Sequence, residues 1–191
     1  MESIETFAAG YIRESGRLLA SLNPAQIASV ITLMRNARDS GNRIFAIGNG
    51  GSAGTASHFV NDMGKGASVG RETRFKVIPL TDNVPWMTAL SNDLSYDDVF
   101  VEQMKNFTEP GDVLLAISGS GNSENVLRAV RYANRLRCHT VGFAGFGGGK
   151  LKDLARHCIV VESDHMGRVE DIHMVLQHIV CYYFMDVERS R

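Results

Sequence analysis

Apolar residues recur along this chain in two rhythms. Short runs without polar alternation occur at Arg43-Ile44-Phe45-Ala46-Ile47, Asp112-Val113-Leu114-Leu115-Ala116-Ile117 and Thr140-Val141-Gly142-Phe143-Ala144. Such runs predict strands covered on both faces, as in a parallel sheet. Further strands are predicted over 75–80 and 158–161. Between the runs the period lengthens. Ala56, Phe59, Val60 and Met63 predict a helix over 53–63, and Val126, Leu127, Val130, Ala133 and Leu136 predict another over 124–136. The stretch 4–38 reads as two helices broken at Asn23-Pro24, with Asn23 placed to cap the second. The segment 169–187 reads as one long helix, hydrophobic nearly all round, which suits burial in an oligomer core. Strands alternating with helices predict a doubly wound α/β fold. No short-period repeat or low-complexity linker interrupts it. Residues 1–191 therefore form one domain, with 1–38 a helical extension and 39–191 the α/β core carrying a C-terminal interface helix.

Composition sharpens this picture at the glycines. Most of the 19 glycines lie in three places: Gly48-Asn49-Gly50-Gly51-Ser52, Ser118-Gly119-Ser120-Gly121-Asn122-Ser123, and Gly142 to Gly149. Each cluster follows a predicted strand, so these are strand-to-helix turns rather than flexible linkers. In open α/β sheets ligands bind at such turns, and the N-terminus of the following helix suits a phosphate. The first loop meets the dinucleotide fingerprint only in relaxed form, because Ala53 stands at its last position, and no Walker-type phosphate loop is present. A small phosphorylated metabolite fits better than a nucleotide cofactor. The formal net charge of −1 lacks the footprint of a nucleic-acid binder. No apolar run reaches membrane-spanning length, and the first 22 residues lack a signal-peptide layout. Cys138, Cys158 and Cys181 show no paired spacing, so the expectation is three inert thiols in a reducing, cytoplasmic setting.

Ionisable residues add candidate chemistry. His58 and Asp62 stand four apart and share one helix face, fitting a metal-ligand or acid/base pair. The last helix carries Glu170, Asp171, His173 and His178. Glu170 and His173 have a spacing used in metal-binding bundles. Glu170 and His178 are eight residues apart, about 12 Å of rise, so one ion shared by both implies a second subunit. His165 lies in the loop before that helix and is a candidate to touch ligand. His139 reads as structural and His157 as solvated.

Five motifs occur in order: Gly48-Asn49-Gly50-Gly51-Ser52, His58-Phe59, Asn92-Asp93, Ser118-Gly119-Ser120-Gly121-Asn122-Ser123, and Arg168-Val169-Glu170-Asp171-Ile172-His173 with His178. Together they resemble the sugar isomerase (SIS) domain, in particular its phosphoheptose isomerase branch. The resemblance covers essentially the whole chain. It implies a three-layer fold around a five-stranded parallel sheet, assembled as a homotetramer with active sites between subunits. The activity implied is an aldose–ketose isomerisation of sedoheptulose 7-phosphate, and the implied partner is a sugar phosphate, with no nucleic acid or membrane. The resemblance puts the sugar phosphate on Asn49, Gly50, Gly51, Ser52, Ser118, Gly119, Ser120 and Ser123, with Asp82, Asn92, Asp93 and Glu170 as further contacts. It makes Asp62 and His178 the acid/base pair and places zinc on His58, Asp62, Glu170 and His178. Three departures stand out: the usual Glu is Asp62, the usual Gln is Glu170, and the usual acidic residue before Arg168 is Gly167. The first two alter the metal shell, and the third bears on sugar specificity. Non-catalytic relatives that sense a phosphosugar or bind a protein share both loops, as do isomerases of other sugar phosphates. The retained acid/base and metal set favours an enzyme.

Overall fold

In a computed structural model, which describes residues 3–188, five parallel strands form a single sheet in the order β2-β1-β3-β4-β5. They are β1 (Arg43–Gly48), β2 (Lys76–Pro79), β3 (Val113–Ser118), β4 (His139–Ala144) and β5 (His157–Val160). All five stand where the apolar runs predict them, with ends shifted by a residue or two. In chain order the helices are α1 (Ile4–Ala20), α2 (Pro24–Asp39), α3 (Gly51–Asn61), α4 (Val84–Asp93), α5 (Val101–Lys105), α6 (Glu124–Arg135), α7 (Gly149–Leu154) and α8 (Met166–Tyr182).

The buried strands divide their side chains between two cores, because successive residues point to opposite faces. Ile44, Ala46, Val113, Leu115, Val141 and Phe143 pack beneath α1, α2, α3 and α8. Phe45, Ile47, Leu114 and Ala116 pack beneath α5, α6 and α7, where Phe100, Met104, Leu127, Val130 and Leu151 complete the second core. The result is three layers, with the central strands β1, β3 and β4 buried on both faces.

Local chemistry sets several helix boundaries. Asn23 accepts from the Ala25 amide at 2.9 Å and Pro24 opens α2, as expected. His165 caps α8, its Nδ1 accepting from the Arg168 amide at 3.4 Å. That helix begins three residues earlier than its apolar pattern indicates and ends in a π-helical turn over Tyr183–Val187. A second π-helical turn, Asp62–Gly66, follows α3 directly and widens the coil at Asp62. Two helices that the apolar rhythm does not announce, α4 and α5, join β2 to β3 through a 3₁₀ turn at Tyr96–Asp98. No helix among the described residues is long and apolar enough to cross a membrane.

Candidate active site

The chain reverses its direction of travel across the sheet between β1 and β3: β2 lies to one side of β1, and β3, β4 and β5 to the other. The carboxyl ends of these two adjacent strands therefore frame the crevice in which an open α/β sheet takes its ligand. Both glycine–serine loops leave from those ends. Between them lies a cavity of about 260 Å³. Asn49, Gly50, Gly51 and Ser52 line it from the first loop, and Ser118, Gly119, Ser120 and Ser123 from the second. Met166 and Glu170 close it from α8. All eight loop residues expected at a phosphate thus share one cavity.

The two helices that start at this cavity leave their first amides without a side-chain cap, as the short α5 and α7 also do. Neither α3, which starts after Gly50, nor α6, which starts after Ser123, has a side chain capping its N-terminus. In α1, α2, α4 and α8 a Ser, Asn or His side chain performs that task. Uncapped amides and the helix dipole leave the crevice able to hold an anion with backbone groups alone. A chain of net charge −1 can in this way receive an anion without a basic surface.

Glycine is required for two different reasons. Gly121 has φ +64°, and a Cβ there would lie 2.0 Å from the carbonyl oxygen of Gly148. At Gly48 a Cβ would sit 2.6 Å from the backbone of Ser52, where strand and helix nearly touch. The third glycine cluster does not line the cavity. It buttresses the second loop: the Gly145 amide donates to Gly119 O at 2.9 Å and the Leu151 amide to Gly121 O at 3.0 Å.

Farther along α3, three ionisable side chains meet. The Nε2 atoms of His58 and His178 are 3.4 Å apart. They stand 3.3 Å and 3.8 Å from Oδ2 of Asp62. Oδ2 is buried yet accepts no hydrogen bond, so it faces two imidazole nitrogens without a proton in line. One ligand atom from each of the three residues lies within 4.8 Å of the others, a group able to hold a metal ion. His178 reaches it because α8 packs directly on α3.

Glu170 is not part of this group. Its carboxylate lies at the start of α3, so close that a Cβ on Gly51 would be 2.5 Å from Oε1. Two turns of α8 separate it from His178, the distance that argued against a shared ion in one chain. Asp82 accepts hydrogen bonds from Thr81 Oγ1 (2.7 Å) and from Ser57 on the exposed side of α3, outside the cavity. Asn92 and Asp93 close α4 and bond each other at 2.8 Å, also outside it. His165 acts as a helix cap, and its ring meets Tyr11 edge-on at 5.6 Å. His173, the other member of the i, i+3 pair, is fully buried against Phe143 and does not line Glu170's cavity. The thiols are inert: burial raises Cys138 and Cys158 to about 11, and burial followed by the nearby Asp62 charge raises Cys181 as well.

Two residues near the cavity carry no signal in the helical and strand periodicities. Asn125, buried on α6, exchanges two hydrogen bonds with the Asn49 side chain, at 2.9 and 2.8 Å. Tyr96, from the 3₁₀ turn, donates to Asn49 Oδ1 at 2.9 Å. The hint for Asn125 was its polarity beside the core residues Val126 and Leu127.

Known proteins share this fold. The SIS domain family model matches residues 10–145. The probable phosphoheptose isomerase of Thermoplasma acidophilum is 38% identical over 171 residues, covering 90% of this chain and 93% of that protein. The phosphoheptose isomerase of Akkermansia muciniphila is 34% identical over 89% of each chain. A solved structure of phosphoheptose isomerase from Neisseria gonorrhoeae superposes with a TM-score of 0.88 at 30% identity, spanning 97% of this chain and all of that one. With the fold, the twin loops and this similarity in agreement along nearly the full length, the chain belongs to the SIS domain family and, within it, to the phosphoheptose isomerases.

Proposed function

We propose that the protein interconverts D-sedoheptulose 7-phosphate and D-glycero-D-manno-heptose 7-phosphate. The observation that carries this reading is the position of two groups along α3. The anion cavity sits at its N-terminus, and the His58–Asp62–His178 group lies six to ten residues on. Six residues of helix rise about 9 Å, a span suited to an extended acyclic sugar with its phosphate at the far end. The two loops hold the phosphate, which leaves C1 and C2 beside Asp62 and His178.

From the ketose, a base removes one proton from C1 and the electrons move to the C1–C2 bond, giving an enediol. The proton returns at C2, O1 loses its hydroxyl proton and O2 gains one, leaving the aldose. Asp62 and His178 divide these two transfers, one serving the carbon-bound proton and the other the oxygens. Their retention is what favours an enzyme over a phosphosugar sensor. Two imidazoles and a carboxylate with an open side also form a donor set suited to catalytic zinc, and the buried, unsatisfied Asp62 Oδ2 fits such a cation. Zinc on His58, Asp62 and His178 would polarise the substrate carbonyl. Glu170, four residues after the first residue of α8, would join it only from another subunit.

The full chain acts as one domain in this reading, its first 38 residues serving assembly. A homotetramer with sites at subunit boundaries accounts for the open acid/base group: His58 and His178 remain 42% and 39% exposed in the single chain. Unpaired thiols at Cys138, Cys158 and Cys181 fit the cytoplasm. The test is incubation with ketose and aldose phosphates in D₂O, followed by NMR. Interconversion of the heptose pair with deuterium at C1 or C2 is expected. Binding of the sugar phosphate without interconversion would establish a sensor instead.

A further inference from the structure

We propose that Asn125 and Tyr96 are positioning residues that make the Asn49 subsite a pure hydrogen-bond donor, and so favour the charge-assisted bond of a phosphate oxygen over the weaker bond that a neutral hydroxyl can accept. The starting point is a group whose orientation is not open to choice. The backbone amide of Val126 donates to Asn125 Oδ1 at 2.9 Å. A backbone N–H cannot be turned round, so the oxygen of Asn125 must face it. The same Oδ1 accepts from Asn49 Nδ2, and Asn125 Nδ2 therefore meets Asn49 Oδ1. Orientation passes from Val126 to Asn125 to Asn49 with no free flip.

Tyr96 completes the arrangement. Its hydroxyl gives Asn49 Oδ1 a second donor, at 2.9 Å. Both lone pairs of that oxygen are then engaged, so it has no capacity left for a sugar hydroxyl. On Nδ2 one proton goes to Asn125, and among the described residues the other has no protein acceptor. Asn49 lines the cavity, so a donor is what it offers there. A phosphate oxygen satisfies that donor with a charge-assisted bond, and a ligand without an acceptor at this point leaves it unpaired.

The brace belongs to one helix. Asn125 is one turn before Arg128 on α6, and Arg128 Nη1 bonds Asp98 Oδ1 at 2.7 Å. Ser95 donates to the other oxygen of Asp98 at 2.6 Å. These contacts hold the 3₁₀ turn that carries Tyr96. The helix that follows the second loop thus sets the only side-chain amide of the first.

This inference rests on the cavity being the phosphate site of the proposed isomerase, and its test reads phosphate binding apart from turnover. Inorganic phosphate is titrated into the full-length protein, followed calorimetrically and by the ¹⁵N–¹H signals of the Asn49 side chain. Tyr96→Phe removes an exposed hydroxyl and leaves the fold intact. Phosphate affinity is expected to fall about threefold, with a similar rise in KM for the sugar phosphate and little change in kcat. Asn125→Asp keeps the shape but cannot donate to Asn49 and adds a negative charge; about a tenfold or greater loss is expected. Discrimination between sedoheptulose 7-phosphate and unphosphorylated sedoheptulose should narrow in both. Should the wild type bind phosphate but isomerise nothing, with both variants weakened, the positioning role stands and the isomerase reading falls. Unchanged phosphate affinity and KM in folded Tyr96→Phe protein would overturn the positioning role, whatever the enzyme does.

Discussion

Asp62 Oδ2 is buried and receives no hydrogen bond, although two imidazoles stand within 4 Å. A buried carboxylate oxygen left unsatisfied costs on the order of 1–3 kcal/mol, and such a cost persists where the group is reserved for another partner. Replacing His178 by Gln keeps the volume and removes the proton carrier. Turnover should fall about 10²- to 10⁴-fold while the thermal midpoint stays near that of the wild type; wild-type turnover in this variant would remove His178 from the chemistry. A metal ion makes a separate prediction. An Nε2 bound to zinc has no proton to move, so protein stripped by chelator and protein reloaded with zinc should differ in the pH profile of turnover. Elemental analysis should give one zinc per chain, falling on substitution of His58 by Ala. The pairing of His58 with Asp62 was legible from helical spacing alone. The arrival of His178 beside them was implied only by the family resemblance and not by spacing, because it depends on how α8 packs against α3, a contact between residues 120 apart in sequence.

At the scale of elements, buried strands and amphipathic helices were legible because burial writes a period into the sequence. The short α4 and α5 were not, since helices of 5 to 10 residues leave too few turns for a period to show. The role of the third glycine cluster was also hidden, because a turn that supports another turn has the same composition as one that binds a ligand. Gly48 gives the clearest test of a glycine's purpose here. Gly48→Ala puts a methyl group 2.6 Å from the Ser52 backbone and should cost about 1–3 kcal/mol in denaturant unfolding. Phosphate affinity should fall with it, because the start of α3 must move. Helix α8 supplies a pH prediction. His173 is fully buried and burial lowers its pKa to about 4, partly opposed by the Ala144 backbone. The folded protein holds this ring neutral, whereas the unfolded chain protonates it below about 6.5. Its contribution is complete above that pH and is lost as pH falls from about 6.5 towards 4, up to roughly 3 kcal/mol. Urea midpoints should therefore decline across that window, and His173→Leu should flatten the decline.

At the scale of the molecule, one face is unlike a finished surface. Of the 17 residues of α1 only Leu18 is buried, and Ile4, Phe7 and Ile12 are 90%, 55% and 72% exposed. Beside this helix an apolar groove of about 660 Å³ runs between α1, α2 and α8, walled by Leu22, Ile27, Ile31 and Ile179. A chain of this size does not gain by presenting these apolar side chains to water, and an apolar face of that kind suits an interface. The composition of 169–187 pointed the same way, since a helix hydrophobic nearly all round needs neighbours on every side. The groove and the His58–Asp62–His178 group are connected by α8, which carries Ile179 on one wall and brings His178 to the other two residues. Assembly and activity should therefore fail together. Light scattering of the wild type should give about four times the 20.9 kDa chain mass. Replacing Ile4 and Ile12 by Glu changes side chains that face solvent in the single chain, so the secondary structure should survive. The mass should drop towards that of one or two chains, and turnover should fall by more than tenfold even though neither residue lines the cavity. A variant that runs as a monomer with full turnover would show that each chain holds a complete site, and the open flank of His58 and His178 would then be the substrate's way in.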